Sequence, residues 1–166
     1  MTDGGSGHGA AVVRALGPGD LRWAAAVLDE GFGGRLQVRR REVVDALAWP
    51  GWVAERDGVA VGLLTFAARS DEWELVIVVS LEPRRGVGTL LVHRFLAEAG
   101  VGGARRVWLR TTNDNTGALA FYQRLGFRLV EVDLGAVDDA RHLKAGLPQR
   151  GAGGVPMRDE LELELG

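Results

Sequence analysis

A short turn rich in glycine and arginine joins an apolar run to a helix-like pattern at residues 78–95, VVSLEPRRGVGTLLVHRF. A Gly-rich turn at the start of a helix leaves backbone N–H groups unpaired and directs them, with the positive end of the helix dipole, toward one point. That point suits an anion, most commonly phosphate, and Gly86 and Gly88 would let the anion approach the backbone closely. A tight turn with close helix packing explains a bare G-x-G as well, so the turn alone leaves both interpretations open.

Two common nucleotide signatures do not fit this turn. Leu91 stands where the dinucleotide fingerprint needs its third glycine, and no Gly-Lys-Ser/Thr follows for a triphosphate-binding loop. The turn is therefore better suited to a pyrophosphate held by backbone amides and arginines. A second motif, N-x-x-A-x-x-F-Y-x-x-x-G-F, follows at residues 115–127.

Other kinds of chemistry find little support in the sequence. His8, His93 and His142 are far apart and lack carboxylates at ligand spacing, which predicts that no metal is bound. The chain has no cysteine and no G-x-S-x-G motif, which excludes disulfides and cysteine nucleophiles and argues against a serine nucleophile. A net charge of −2, from 20 basic and 22 acidic residues, predicts no binding to nucleic acid or to an anionic membrane.

The chain of 166 residues has the size of one domain. Residues 1–9 are rich in Gly and Ser and are expected to form a disordered tail before a single domain at residues 10–166. No run approaches the roughly 20 apolar residues of a membrane span. Together with the lack of cysteine, this favours a cytoplasmic location.

Periodicity and turn signals predict the order of elements that must position the two motifs. Strands are expected at residues 10–16, 52–56, 59–67, 72–79, 106–110, 127–132 and, after an irregular stretch, 158–165. Helices are expected from Asp20 to the glycines at 31–34, at 37–48, at 89–99 ended by Gly100, and at 115–125 ended by Gly126.

The order of these elements predicts a mixed sheet. A strand, a helix and a strand around the glycine turn imply a right-handed crossover between two parallel strands. Asp57-Gly58 is a strong hairpin signal and implies antiparallel neighbours. The second half of the strand at 72–79 is apolar on both faces, which is typical of a central strand covered on both sides.

In this order and spacing, EPRRGVG and the motif at 115–127 resemble the GCN5-related N-acetyltransferase (GNAT) family, strongly over residues 72–130. The resemblance implies an α/β (α+β) fold with one mixed, mostly antiparallel sheet of about seven strands flanked by about four helices. It also implies acetyl-CoA as cosubstrate, without a metal, and transfer of the acetyl group to a primary amine of a small molecule or peptide by direct attack on the thioester. The alternatives are a non-catalytic acyl-CoA-binding sensor or regulatory module, and a different acyl donor. The chain would act as a monomer or homodimer.

The resemblance also implies which residues hold the cofactor. Backbone amides of the turn would bind the pyrophosphate, and the main chain of the preceding strand would bind the pantetheine arm. Pro83 stands where the family often has Gln or Arg, so which arginine contacts the phosphates is open. The full set is Val78, Val79, Ser80, Arg84, Arg85, Gly86, Val87, Gly88, Thr89, Asn115 and Tyr122.

Two residues are candidates for proton transfer. Tyr122 matches the family tyrosine, and a phenol with a pKa near 10 can donate a proton to the leaving thiolate; otherwise it is a core aromatic. Glu74 is the candidate base, or orients a water that acts as one. Glu72 lies on the same face, so the pair would form an acidic entrance for a cationic amine, unless both face solvent. A backbone N–H near Val79 is expected to bind the oxyanion.

Two charged clusters are expected to have structural roles. Arg39, Arg40 and Arg41 would form a solvated face of the helix at 37–48. Glu160, Glu162 and Glu164 alternate on the last strand, where outward charges protect a sheet edge from pairing. Lining the substrate entrance is the less favoured role for these glutamates.

Overall fold

The computed structural model describes residues 9–166, so nearly all of the predicted tail lies outside the described residues. The described chain contains nine strands, four α-helices and two short 3-10 turns. The strands are β1 (Val12–Ala15), β2 (Leu36–Arg39), β3 (Glu42–Asp45), β4 (Gly51–Arg56), β5 (Val59–Arg69), β6 (Glu72–Ser80), β7 (Arg106–Thr112), β8 (Phe127–Asp133) and β9 (Glu160–Leu165). The helices are α1 (Leu21–Phe32), α2 (Val87–Val101), α3 (Thr116–Arg124) and α4 (Ala136–Leu143). Within residues 9–166 no helix combines the length and the apolar character that crossing a membrane requires.

Seven of these strands form one sheet in the order β1-β4-β5-β6-β7-β9-β8, and β2 pairs with β3 as a separate hairpin. Every neighbouring pair is antiparallel except β6 and β7, which are parallel and joined through α2. The mixed, mostly antiparallel sheet predicted from the sequence is confirmed, and β6 is its central strand.

Each face of the sheet has its own apolar core. Neighbouring residues of β5 show the division, because Leu64 packs toward α2 and α3 while Leu63 packs toward α1 and the segment after β3. On the first face the ring of Phe66 stacks on Trp52, with ring centroids 4.7 Å apart, and on Trp73 at 5.3 Å. The two layers place the turn before α2 on one face and the β2–β3 hairpin on the other.

The helix predicted at residues 37–48 is wrong, because this segment forms the β2–β3 hairpin. Arg40 and Arg41 adopt left-handed backbone angles, with φ of 48° and 61°, and make the two-residue turn. Arg41 donates to Asp133 at 2.7 Å and to Asp139 at 2.8 Å, and Arg40 donates to a carboxylate on β9. The expected solvated helix face is therefore also wrong: these ion pairs with distant strands oppose the local helical pattern.

The end of the chain departs from the sequence prediction in two ways. Residues 136–143, expected to be irregular, form α4, whose buried Ala136, Val137 and Ala140 follow helical spacing. That spacing is present in the sequence and is itself typical of a helix with one buried face. In addition, Gly100 does not end α2, which continues to Val101 and is capped by Gly102.

The last strand does not lie at a sheet edge, so the edge-protecting role expected for its glutamates is wrong. β9 is inserted between β7 and β8. The side chains of Glu162 and Glu160 are only 3% and 7% exposed. Arg110, itself 6% exposed, donates to both carboxylates at 2.8 Å. Their strict alternation with leucine thus indicates a buried ion-pair network on one face of the strand.

Candidate active site

The parallel strands at the centre of the sheet separate along their length. β6 and β7 pair only from Glu72 to Leu75 against Arg106 to Leu109, although both strands continue further. On the other side of β6, Thr65 pairs with Ile77 and Phe66 with Leu75, which leaves Val76 as an extra, bulged residue. A bulge bends its strand. The result is a gap in the sheet beyond Leu75.

A cavity of about 1300 Å³ occupies this gap and extends to both faces of the sheet. Its first part, here called the turn half, is lined by the end of β6, the turn before α2, and α3. Its second part, the hairpin half, is lined by the end of α1, the β2–β3 hairpin, α4 and the segment that follows α4. The cavity can therefore hold two ligands that approach from opposite faces and meet at the gap.

The turn before α2 presents free backbone donors to the turn half. Gly86 caps the helix with φ of 77°, a conformation that favours glycine. The first main-chain bond of the helix runs from the N–H of Leu90 to the oxygen of Gly86. The N–H groups of Val87, Gly88 and Thr89 come before that bond, so they have no acceptor within the helix, and all three residues line the cavity.

A glycine on β5, which sequence analysis missed, fixes the position of this helix end. A Cβ added at Gly62 would lie 2.5 Å from Cγ1 of Val87, closer than carbon atoms can approach. Gly88 lies next to Phe121 of α3, whose ring would be 3.4 Å from an added Cβ. Close packing and free amides therefore occur together at this turn.

The end of β6 offers main-chain groups to the same half. The N–H of Leu81 donates to the oxygen of Val61 on β5 at 2.8 Å. Because direction alternates along an antiparallel ladder, the N–H of Val79 also points to β5, and those of Val78 and Ser80 point to the gap. Val78 and Ser80 line the cavity. The oxyanion donor expected near Val79 stays a prediction, and the amides available for it are those of the two neighbouring residues.

Tyr122 lies at the junction of the two halves. It is 6% exposed, lines the cavity, and packs edge-to-face against Phe121 and Phe127. Within the described chain its hydroxyl makes no hydrogen bond. Burial raises the pKa of Tyr122, and the positive charge of Arg39 lowers it by less. The phenol therefore stays protonated at neutral and mildly alkaline pH.

The two predicted carboxylates do not line the cavity. Glu74 accepts from Nη1 of Arg39 at 2.7 Å, and Arg39 also bonds the carbonyl oxygen of Val76 at the bulge. Glu72 is half exposed and lies 3.5 Å from Arg106. The expected acidic entrance is thus not formed. Arg39, which was expected on a solvated helix face, lines the cavity instead of the two carboxylates.

The predicted cofactor residues gather at the turn half with two exceptions. Arg84 and Asn115 line the cavity, and Asn115 also caps α3 by accepting from the N–H of Ala118. The Val79 side chain packs into the core on the α1 face. Arg85 does not line the cavity, and it pairs at 3.3 Å with Glu82, which does. The structure thus separates the two arginines of the turn.

Residues just before α3 hold the segment that closes the hairpin half. Asn113 donates to the oxygen of Pro156 at 2.8 Å and accepts from the N–H groups of Arg158 and Asp159. Asp114 accepts from the N–H of Ala152 at 3.2 Å. No sequence signal links groups so far apart in the chain.

Within residues 9–166 no three acidic or histidine side chains converge as metal ligands.

Comparison with known proteins agrees with this architecture. The sequence model of the Acetyltransferase (GNAT) family matches residues 26–127. The chain belongs to this family. Uncharacterized protein YxbD of Bacillus subtilis (strain 168) is 36% identical over 107 residues, which are 64% of this chain and 67% of the relative. Uncharacterized protein YdhI of the same organism is 34% identical over 104 residues, which are 63% of this chain and 65% of the relative. The match therefore spans about two thirds of each relative.

Solved structures share the fold of this GNAT chain. An IAA acetyltransferase from Bacillus cereus superposes with a TM-score of 0.74 at 18% identity, covering 94% of this chain and 99% of that one. A GNAT family acetyltransferase from Elizabethkingia anophelis with acetyl-CoA bound gives 0.69 at 17% identity, covering 93% and 97%. The ribosomal-protein-S18-alanine N-acetyltransferase from Escherichia coli gives 0.67 at 16%, covering 94% and 93%. At these identities the likeness concerns the fold, and it confirms the predicted one.

Proposed function

We propose that residues 10–166 form one acetyl-CoA-dependent N-acetyltransferase domain, which transfers an acetyl group to a primary amine of a small molecule or peptide. The observation that carries the proposal is the cavity at the gap between β6 and β7. It brings together free helix amides, unpaired main-chain groups of β6 and a protonated phenol. The acetyl-CoA bound to the Elizabethkingia anophelis neighbour supports the choice of cosubstrate.

In this proposal acetyl-CoA occupies the turn half. The N–H groups of Val87, Gly88 and Thr89 bind the pyrophosphate, with Arg84 as the nearby cation. The pantetheine arm pairs with the main chain of Val78 and Ser80, as an added strand would. The thioester then lies at the gap, where an acceptor in the hairpin half can reach it.

The reaction needs two proton transfers. The neutral amine attacks the thioester carbon, the C–S bond breaks, and Tyr122 donates its proton to the departing thiolate. The amine loses a proton to a base, for which Glu74 stays a prediction because Arg39 already holds its carboxylate. A largely buried tyrosine that lines the cavity, with a hydroxyl that bonds no described residue, favours an enzyme over a sensor, since a core aromatic needs no hydroxyl.

We expect Arg84, and not Arg85, to contribute to cofactor affinity. The Arg84→Ala variant should raise the Kd for acetyl-CoA about tenfold, because a charge-assisted bond to phosphate contributes roughly 1.4 kcal/mol. The matched control is Arg85→Ala, whose effect should stay within about twofold because the Arg85 side chain does not line the cavity and already pairs with Glu82. Isothermal titration calorimetry measures both values. The opposite ranking would show that the turn binds the phosphates through Arg85.

The Glu74→Gln variant tests the predicted base. If Glu74 removes the amine proton, kcat/KM should fall at least about tenfold at pH 6 and less at pH 9, where more of the amine is already neutral. Glu72→Gln is the control, because Glu72 is half exposed and outside the cavity. A pH profile of Glu74→Gln parallel to that of the parent protein would eliminate Glu74 as the base.

Ligand binding and turnover together test the proposed function. A ligand that binds only the folded state adds about 2.7 kcal/mol to the free energy of unfolding at a concentration of about 100 times its Kd. Acetyl-CoA should therefore raise the Tm of the protein, and NAD and ATP should leave it unchanged. Release of CoA thiol is then followed with a panel of amines: amino acids, peptides, polyamines and aminoglycosides. Stabilisation by NAD or ATP alone contradicts the proposal, and acetyl-CoA binding without turnover of any amine favours the sensor.

A further inference from the structure

The hairpin half of the cavity is mostly apolar. Four charged side chains interrupt this lining: Arg39, Arg110, Glu160 and Lys144. The apolar residues are Phe32, Val38, Val137, Ala140, Leu147 and Met157. Such a wall suits a compact apolar body, and the charged groups decide what else the occupant carries.

Three of the four charges are already compensated. Arg39 pairs with Glu74 at 2.7 Å, and Arg110 pairs with Glu160 at 2.8 Å. The Oδ1 atom of Asp114, which lies at the edge of this region, is sealed from solvent. Apart from Asp114, whose Oδ1 atom is sealed and whose Oδ2 atom accepts from the N–H of Ala152, the described wall of the hairpin half offers no carboxylate without an arginine partner. Polyamines and aminoglycosides carry several positive charges and would be desolvated here without partners.

Lys144 is the fourth charge, and it has no carboxylate partner among the described residues. Its Nζ donates to the oxygen of Leu36 at 2.7 Å, which leaves two of its three N–H groups for a ligand. Burial lowers the pKa of Lys144. An ammonium that has lost part of its hydration without gaining an anion is stabilised when a carboxylate binds beside it.

Attachment of α4 to β2 would be a purely structural role for Lys144. The nearby end of α1 does not require its remaining N–H groups, because Gln37 donates to the oxygens of Phe32 and Gly34 at 3.1 and 2.6 Å. One bond to Leu36 also needs no charge. Lys144 lies beside Gly33 at the C-terminal end of α1, where the helix dipole favours a cation, yet its two remaining N–H groups have no acceptor among the described residues.

We propose that the acceptor is an amine with a carboxylate on a compact apolar body, in the manner of an apolar amino acid, and that Lys144 binds this carboxylate. The inference rests on the proposed function and names its substrate class. The amine would point to the gap, where the thioester of acetyl-CoA lies, and the carboxylate would point toward the end of α4.

Matched pairs of acceptors test this inference. Leucine and methionine should be acetylated with at least about tenfold higher kcat/KM than leucinamide and methioninamide, since loss of one charged contact costs about that factor. Spermidine should be a poorer acceptor than either acid. In Lys144→Met the preference for acid over amide should disappear, mainly through KM, while Lys144→Arg should retain part of it. Arg150→Gln removes a charge from the same segment outside the cavity and should leave the ratio unchanged.

A second measurement does not depend on turnover. Lys144 is the only lysine of the chain, so amine labelling with trinitrobenzenesulfonate followed by mass spectrometry reports on this side chain alone once the N-terminal peptide is separated. With CoA present, the product N-acetyl-leucine should slow the labelling of Lys144 at least about threefold and N-acetyl-leucinamide should not, because only the acid covers the ammonium and neither compound has an amine that consumes the reagent.

The outcomes separate the two levels of the proposal. Failure of acetyl-CoA to bind overturns the proposed function. If acetyl-CoA binds but amides or spermidine are acetylated as well as the acids, the substrate inference alone is overturned. The same conclusion follows if Lys144 is labelled at the same rate with and without N-acetyl-leucine. If Lys144→Met keeps the acid preference, Lys144 is structural and the inference is wrong.

Discussion

The Tyr122→Phe variant should lose about 10²- to 10³-fold in kcat, the range typical of a missing general acid. The change removes only the hydroxyl, which bonds no described group and lies at the gap between β6 and β7. Packing against Phe121 and Phe127 is kept, so the Tm and the Kd for acetyl-CoA should change little. Steady-state CoA release with the best acceptor, thermal unfolding and calorimetry give the three values.

The protonation state of Tyr122 can be measured independently. It is the only tyrosine of the chain, so phenolate absorbance reports on this residue alone. Because burial raises its pKa, we expect no phenolate signal up to a pH of about 10, the ordinary phenol value. If Tyr122→Phe keeps the full kcat of the parent protein, Tyr122 is not the general acid. If the variant instead lowers the Tm as much as truncation of a core side chain would, the hydroxyl has a structural role.

The Glu162→Gln variant should lower the free energy of unfolding by about 3 kcal/mol, because removing one charge from a buried ion pair leaves its partners uncompensated. Glu162 is 3% exposed and accepts from Arg40 at 3.0 Å and Arg110 at 2.8 Å, with Arg106 as a third donor. The matched control is Glu164→Gln on the same strand. The Glu164 side chain is 35% exposed and pairs, among the described residues, with Arg106 alone, so its loss should cost less than about 1 kcal/mol. Urea unfolding measures both.

The effect of Glu162→Gln should depend on pH. Burial by itself would raise the pKa of Glu162, but the hydrogen bonds from Arg40 and Arg110 outweigh it and the net pKa is lowered. A carboxyl group with a lowered folded pKa adds stability above its unfolded value of 4.5, and this stability is lost as the pH falls through the folded pKa. The difference between parent and variant should therefore be constant from about pH 6 to 8 and narrow below about pH 4.5. If the parent protein and Glu162→Gln have equal free energies of unfolding at neutral pH, the ion-pair network makes no net contribution to stability.

Elements with short-range signals were predictable from the sequence. The Asp57-Gly58 hairpin, the helix capped by Asn115 and the glycine turn before α2 depend on backbone conformations that a few neighbouring residues impose. The order of these elements also predicted the parallel pairing of β6 with β7, and with it the position of the turn half of the cavity.

The structure of the hairpin half depends on long-range contacts that the local sequence pattern does not encode. Residues 37–48 have a helical apolar pattern, yet Arg40 pairs with Glu162 across 122 positions of sequence and Arg39 pairs with Glu74 across 35. Burying those carboxylates requires a guanidinium beside them, which favours a hairpin turn over a helix at this place. The same contacts remove Glu74 from the cavity wall.

The sequence by itself determined the family and the central strand, and it located the glycine turn before α2 and Tyr122. Each of these depends on residues that lie close together in the chain. Only the tertiary structure decided that β9 lies between β7 and β8 and that two strands separate beyond Leu75. It also placed Lys144 in a mostly apolar cavity wall with no carboxylate partner among the described residues. These features arise from strand order and from charges paired across the sheet. The acceptor side of the site, in the hairpin half, consequently depends on long-range packing. The cofactor side, in the turn half, depends on local sequence motifs.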